Sequence, residues 1–194
     1  MSDSYTILCG DIGGTNTRFQ AYEVSSISSP LPVHCATPGV LRVSRKYLNS
    51  EFASFEGVLQ KFALELQELN VVPPVVVCMA VAGPVHDNSA TLTNRSWLID
   101  STTIQRIFSH SKTIHIINDF VAQGYGVLTL NHENECTIIN QGKKQTNNER
   151  VQYNSGPIAV VGAGTGLGEC YLTCNEGDEE YTCFPTEGDR KSVV

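Results

Sequence analysis

Asp11-Ile12-Gly13-Gly14-Thr15-Asn16-Thr17-Arg18 follows an apolar, β-prone run, Tyr5-Thr6-Ile7-Leu8-Cys9, and leads into Phe19, Ala21 and Val24, which resume extended character. A strand that enters Gly-Gly-Thr and leaves as a strand is a hairpin whose tip exposes successive backbone N–H groups. Gly13 and Gly14 permit positive φ and carry no Cβ to obstruct an approaching anion. Thr15 adds a hydroxyl donor. Asp11, at the strand end, is placed to hold the hydration shell of a phosphate-bound Mg²⁺. A bare Gly-Gly pair would be an ordinary hairpin turn, but acidic, glycine and hydroxyl residues in this order describe a triphosphate cradle. It is not a P-loop, since Gly-x-x-x-x-Gly-Lys-Ser/Thr occurs nowhere in the chain.

Bulk properties narrow the classes further. A chain of 194 residues with 41% hydrophobic and 17% charged residues can bury a core in one large domain or two small ones. A net charge of −7 argues against binding a nucleic-acid backbone, which concentrates Lys and Arg. No apolar stretch reaches the roughly 18 residues needed to span a bilayer. Met1-Ser2-Asp3-Ser4 lacks the basic and apolar regions of a signal peptide, so a cytoplasmic protein is expected. The seven cysteines show no C-x-x-C spacing and sit mostly in strand-like runs, as buried reduced thiols would. Asn94-Arg95-Ser96 matches a glycosylation sequon by chance, given no secretory signal.

Patterning predicts strands over about 5–11, 17–24 and 33–43, then a helix over 51–69 with Phe52, Phe55, Val58, Leu59, Phe62, Leu66 and Leu69 on one face. Pro73-Pro74 ends it. Val75 to Ala82 reads as a strand buried on both faces, followed by a short strand near Ala90–Thr93 and a helix near 100–109. Thr113 to Ile117 is another buried strand, entering a helix at roughly 119–130. A short strand at 136–140, a polar loop at 140–156 and a core strand at 157–163 complete the pattern.

Two further segments carry chemistry. Gly162-Ala163-Gly164-Thr165-Gly166-Leu167-Gly168 places glycine at every second position, leaving one face as bare backbone around Thr165. It fails the dinucleotide fingerprint, because Leu167 stands where the third glycine belongs. Ile116-Ile117-Asn118-Asp119-Phe120 sets a carboxylate at the mouth of a buried strand and the start of a helix. Such an Asp is often only an N-cap. Phosphoryl transfer to an alcohol, however, needs one positioned base besides charge neutralisation and alignment. With two glycine loops in the chain, Asp119 is expected to be that base, and Asn118 to meet neighbouring sugar hydroxyls.

The first glycine loop resembles the first phosphate loop of the sugar-kinase, actin and heat-shock ATPase superfamily, and Gly164-Thr165-Gly166 resembles its second. Together with Thr93-Asn94-Arg95-Ser96-Trp97, Ile117-Asn118-Asp119-Phe120 and Pro185-Thr186-Glu187-Gly188, they resemble the bacterial-type ATP-dependent glucokinase family over essentially the whole chain. The resemblance implies an α/β, ribonuclease-H-like fold, with a small N-terminal lobe over 1–116 and the first part of a large lobe over 117–194. It implies transfer of the γ-phosphate of ATP to the 6-hydroxyl of glucose with Mg²⁺. Gly10, Asp11, Ile12, Gly13, Gly14 and Thr15, with Gly164, Thr165 and Gly166, would then hold the nucleotide phosphates, and Asp11 the Mg²⁺ through water. Asn118, Asp119 and Glu187 would bind the sugar. Asn94 is either a further sugar contact or a turn residue.

After Pro-x-Glu-Gly the family continues Gly-His, whose histidine also binds the sugar. This chain instead reads Asp189-Arg190-Lys191-Ser192-Val193-Val194. A shortened product is therefore expected, and a non-catalytic sugar- or nucleotide-binding fragment is the alternative to an enzyme. Partners are glucose and ATP, with no nucleic acid or membrane; self-association is left open.

Overall fold

A computed structural model describes residues 4–25, 39–92, 95–130, 134–137, 139, 156–163, 167–174 and 180–186. These fall into two compact units, one running to Ala122 and one from Gln123.

The first unit is built on a five-stranded sheet. β1 (Ser4–Ile12) and β2 (Asn16–Ser25) form the expected hairpin, paired from Ser4↔Ser25 to Ile12↔Thr17, and β3 (Val40–Leu48) lies antiparallel beyond β2. On the other side of β1 lie β4 (Pro74–Val81) and, beyond it, β8 (Thr113–Asn118). β4 runs parallel to both β1 and β8, giving the order β3-β2-β1-β4-β8. Three antiparallel strands followed by two parallel ones is the expected ribonuclease-H-like arrangement. A small antiparallel sheet of β5 (Val85–His86), β6 (Ser89–Leu92) and β7 (Trp97–Asp100) completes the unit. Its first turn uses Asp87 and Asn88 at φ of 49° and 55°, the left-handed pair that a tight hairpin requires.

α1 (Phe55–Glu68) covers one sheet face. Ser54 caps it, its Oγ accepting from the Gly57 N–H at 3.2 Å. Phe55, Val58, Leu59, Phe62 and Leu66 are buried against Leu8, Phe19, Val77 and Met79 in one continuous core. Phe19 is its hub, ringed by Tyr47, Phe55 and Phe62 at centroid distances of 6.1, 6.4 and 5.0 Å. α2 (Ser101–Ile107) is capped by Asp100, whose Oδ1 accepts from Thr103 N at 2.8 Å.

Several expectations change. Among the described residues the third strand runs Val40–Leu48, past the expected end at 43, and the expected stretch 33–38 lies outside them. Leu69 is exposed, because α1 ends at Glu68 before its stripe can bring Leu69 inward. β4 is buried on one face only: Val77, Met79 and Val81 are in the core, while Val76, Cys78 and Ala80 are half-buried. The strand expected at 136–140 does not form among the described residues of that stretch, where Glu135 lies in a turn.

In the second unit, β9 (Ile158–Ala163), β10 (Leu167–Thr173) and β11 (Thr182–Thr186) form an antiparallel sheet in the order β11-β10-β9. The last turns of α3 (Asp119–Val127) pack on it through Gly124, where a Cβ would sit 2.5 Å from Cys183 Sγ and 2.8 Å from Cys170 Sγ. Cys170 and Cys183 are both buried and reduced. Burial, then the neighbouring Cys170, pushes the Cys183 thiol up to about 12, so it is inert at neutral pH.

Candidate active site

Asp11, Asn118 and Asp119 gather at the carboxyl ends of three parallel strands, β1, β4 and β8. This is the edge at which open α/β sheets bind ligands. The register aligns them: Asp11 pairs with Ala80 and Ile12 with Val81, and Val81 in turn with Asn118.

The Gly13–Thr15 turn is organised by its carbonyls. Asn49, fully buried just after β3, donates from Nδ2 to Gly13 O at 2.8 Å and from its backbone N–H to Thr15 O at 2.9 Å. Its own Oδ1 accepts from Thr17 Oγ1 at 2.9 Å. Arg95 Nε donates to Gly14 O at 3.3 Å. All three carbonyls of the turn are thus held by donors from elsewhere in the unit. The Gly14 and Thr15 amides have no protein acceptor among the described residues, and Thr15 is exposed. Amides left open while carbonyls are tied back form an anion-binding concavity.

Two details differ from expectation. Gly13 N donates to Asn16 O at 3.0 Å, so that amide belongs to the turn. Among the described residues, Gly83 is the only glycine at positive φ. The glycine pair therefore contributes bare backbone and not left-handed geometry. Gly10 and Ile12 serve the core: Ile12 is fully buried, and a Cβ on Gly10 would strike Met79 Sδ, with Phe19 at 3.1 Å. Asp11 is open to solvent, with Oδ2 accepting from Arg18 Nη1 at 2.9 Å across the hairpin.

The helix-cap question at Asp119 is resolved by its neighbour. Asn118 Oδ1 accepts from the Phe120 and Val121 N–H groups at 2.9 and 3.2 Å, which makes Asn118 the cap of α3. Asn118 Nδ2 donates to Gly83 O at 3.0 Å, leaving one N–H of that amide for a ligand. Asp119 occupies the first helical position, and its Oδ1 also accepts from Phe120 N at 3.0 Å. Burial raises its pKa above the ordinary 3.8, against the lowering effect of the Phe120 N–H, and the nearby Asp11 charge raises it further. A half-buried carboxylate with a raised pKa beside an anion-binding turn is suited to accepting a proton.

Asn94, Glu187, Gly164, Thr165 and Gly166 lie outside the described residues. Glycine-rich backbone does flank the last three, where β9 ends at Ala163 and β10 begins at Leu167 in a tight antiparallel register. Asn49 and Arg95 carried no signal as turn-binding residues in the sequence. Asn49 is 36 residues from Gly13 and Arg95 is 81 from Gly14, and neither sits in a spacing that links it to the loop.

Comparison with solved structures defines the class first. A glucokinase from an Antarctic psychrotroph matches 97% of this chain and 52% of its own, at a TM-score of 0.72 and 26% identity. A Balamuthia mandrillaris glucokinase, solved in complex with glucose, shares the fold at a TM-score of 0.64 and 19% identity, over 96% of this chain and 48% of its own. The fold is thus that of ribonuclease-H-like sugar kinases. The chain belongs to the Glucokinase family, whose model matches residues 8–193. Glucokinase of Trichormus variabilis is 36% identical over 183 residues, 94% of this chain and 46% of that protein. Glucokinase of Helicobacter pylori J99 is 30% identical over 193 residues, 100% of this chain and 50% of that protein. The chain spans about half the length of the curated relatives it matches.

Proposed function

We propose that this chain carries the catalytic part of a hexose kinase that transfers the γ-phosphate of ATP to the 6-hydroxyl of glucose, with Asp119 as the general base. Family membership supports the reaction class. The observation that carries the residue assignment is that Asn118 Oδ1 caps α3 through the Phe120 and Val121 N–H groups, while Asp119, of raised pKa, accepts from Phe120 N through Oδ1 alone at the carboxyl edge of β8.

ATP with Mg²⁺ fits the residues present. The open amides of Gly14 and Thr15 suit phosphate oxygens, and Asp11 offers a solvent-facing carboxylate to a hydrated cation. When bound, MgATP supplies the electrophilic phosphoryl group and neutralises its charge. The chain's part is to hold the phosphates on the turn, to set the sugar hydroxyl against Asp119, and to take that hydroxyl's proton on the Asp119 carboxylate as the oxygen attacks. Asn118, and Glu187 and Asn94 by the family likeness, would hold the sugar. In the same reading, and by the family likeness alone, Gly164–Gly166 would add phosphate contacts, residues 1–116 would form the small lobe, and 117–194 would begin the large one.

The test is coupled production of glucose 6-phosphate by the purified chain beside its Asp119→Ala variant. Loss of turnover by about 10²–10⁴-fold with folding intact is expected for removal of a general base. Equal turnover in the variant would remove Asp119 from the chemistry. Folded protein that binds glucose or ATP with no turnover would favour the binding-fragment alternative.

A further inference from the structure

The kinase reading leaves a charge problem at the turn. A triphosphate approaching Gly14 and Thr15 meets Asp11 and Asp119, and the one cation of the motif, Arg18, is already tied to Asp11 at 2.9 Å. Asp119 must be ionised before it can take the proton, so it adds to the negative charge until the transfer is made. A further cation at the turn would offset that charge.

Among the described residues, Arg18, Arg42, Arg45 and Arg106 each pair with a carboxylate. Arg95 does not. Its guanidinium carbon lies 5.5 Å from the centroid of the Trp97 ring, and its Nε donates to Gly14 O. Trp97 is itself fixed, buried and donating from Nε1 to Ala53 O at 3.2 Å. Stacking and one hydrogen bond hold the guanidinium at the turn. Nη1 and Nη2, with four of the five N–H bonds, have no partner among the described residues. An immobilised fork of donors at the turn offers the bidentate geometry that a phosphate accepts.

We propose that Arg95 is a phosphate-binding residue of this site, contacting the nucleotide's phosphates through Nη1 and Nη2 while its Nε fixes the Gly14 peptide. The proposal rests on the kinase reading. It also deepens that reading, because it makes Arg95, braced by Trp97, part of the nucleotide site.

The experiment uses the whole 194-residue chain and its Arg95→Gln and Arg95→Lys variants. Calorimetry gives the Kd for MgATP and, separately, for glucose, and MgATP titrations are repeated across a series of KCl concentrations. Gln keeps a donor for Gly14 O and removes the charge; Lys keeps the charge and removes the fork. We expect MgATP binding to weaken about 10–100-fold in Arg95→Gln and less in Arg95→Lys, from loss of a charge-assisted contact. Glucose affinity should stay within about twofold. The dependence of log Kd on log salt should flatten in Arg95→Gln and persist in Arg95→Lys, a signature that a bracing residue would not give. Equal MgATP affinity in wild type and Arg95→Gln overturns the proposal. So does a weakening with unchanged salt dependence and a matching loss of glucose affinity, which would make Arg95 a brace for the turn only. Wild-type chain that binds neither MgATP nor glucose overturns the kinase reading itself.

Discussion

Asp119 and Asn49 show how single residues make this site. Burial, and then Asp11, favour the neutral form of Asp119 in the folded chain, so its pKa lies above 3.8. The sign follows from that. Its contribution to stability is fully present below the unfolded value and is lost as pH rises through the raised folded value, whereas the ionised form that the proposed base role requires predominates above the folded value. A carboxyl ¹³C titration should place Asp119 above 3.8 and show it moving down in Asp11→Asn, which removes one of the raising charges. An unchanged titration in that variant would show that burial acts alone. Asn49 is more purely structural. Asn49→Ala removes one donated and one accepted hydrogen bond at a fully buried position and leaves Gly13 O and Thr17 Oγ1 without their partner. A loss of about 2–3 kcal/mol is expected in urea unfolding, together with weaker MgATP binding if the turn then opens. A loss under about 0.5 kcal/mol would mean that water replaces the side chain.

At the scale of elements, close approach sets what can be substituted. α3 meets β10 and β11 at Gly124, with both Cys170 and Cys183 Sγ too near to admit a Cβ. Gly124→Ala raises intrinsic helix propensity by about 1 kcal/mol, yet overpacking at this contact should cost about 1–3 kcal/mol. The net result expected is a lower Tm in calorimetry, and a higher Tm would show that helix and sheet separate easily. The same contrast between local signal and tertiary contact governs how much the sequence revealed. The β1–β2 hairpin, α1, β4 and β8 were legible because periodicity and paired prolines are local signals, whereas the cap at Ser54 went unread. Also legible were Asp11, Asn118 and Asp119, which stand at strand ends. β5, β7 and β11 were not, since runs of two to five residues leave no period to read. Asn49 and Arg95 were illegible for a different reason: their role is defined by a partner dozens of residues away.

Among the described residues of the molecule, buried apolar mass is distributed unevenly, and local stability should follow it. The continuous core runs from Leu8 to Ile116 and lies wholly in the first unit, with α1, β1, β2, β4 and the small sheet around Phe19, Phe55, Phe62 and Met79. In the second unit, the described buried side chains are Cys170, Leu172 and Cys183. The opposite face of its sheet presents Val161, Tyr171 and Phe184 to solvent, with Tyr171 and Phe184 stacked on each other at 5.2 Å. Hydrophobic burial scales with area removed from water, about 25 cal/mol per Å², so the free energy available to close β9–β11 is much smaller than for the five-stranded sheet. Elements with few buried contacts open sub-globally at lower cost. Hydrogen exchange followed by mass spectrometry should therefore show β1, β2 and β4 amides protected to near the global unfolding free energy, and β9–β11 amides exchanging at least about tenfold faster. The phosphate turn should track the first unit, because Asn49 anchors it to the strongly protected strands. Equal protection in both sheets would mean that the chain unfolds as one cooperative body, and that the small core of the second unit is stabilised by contacts other than its own burial.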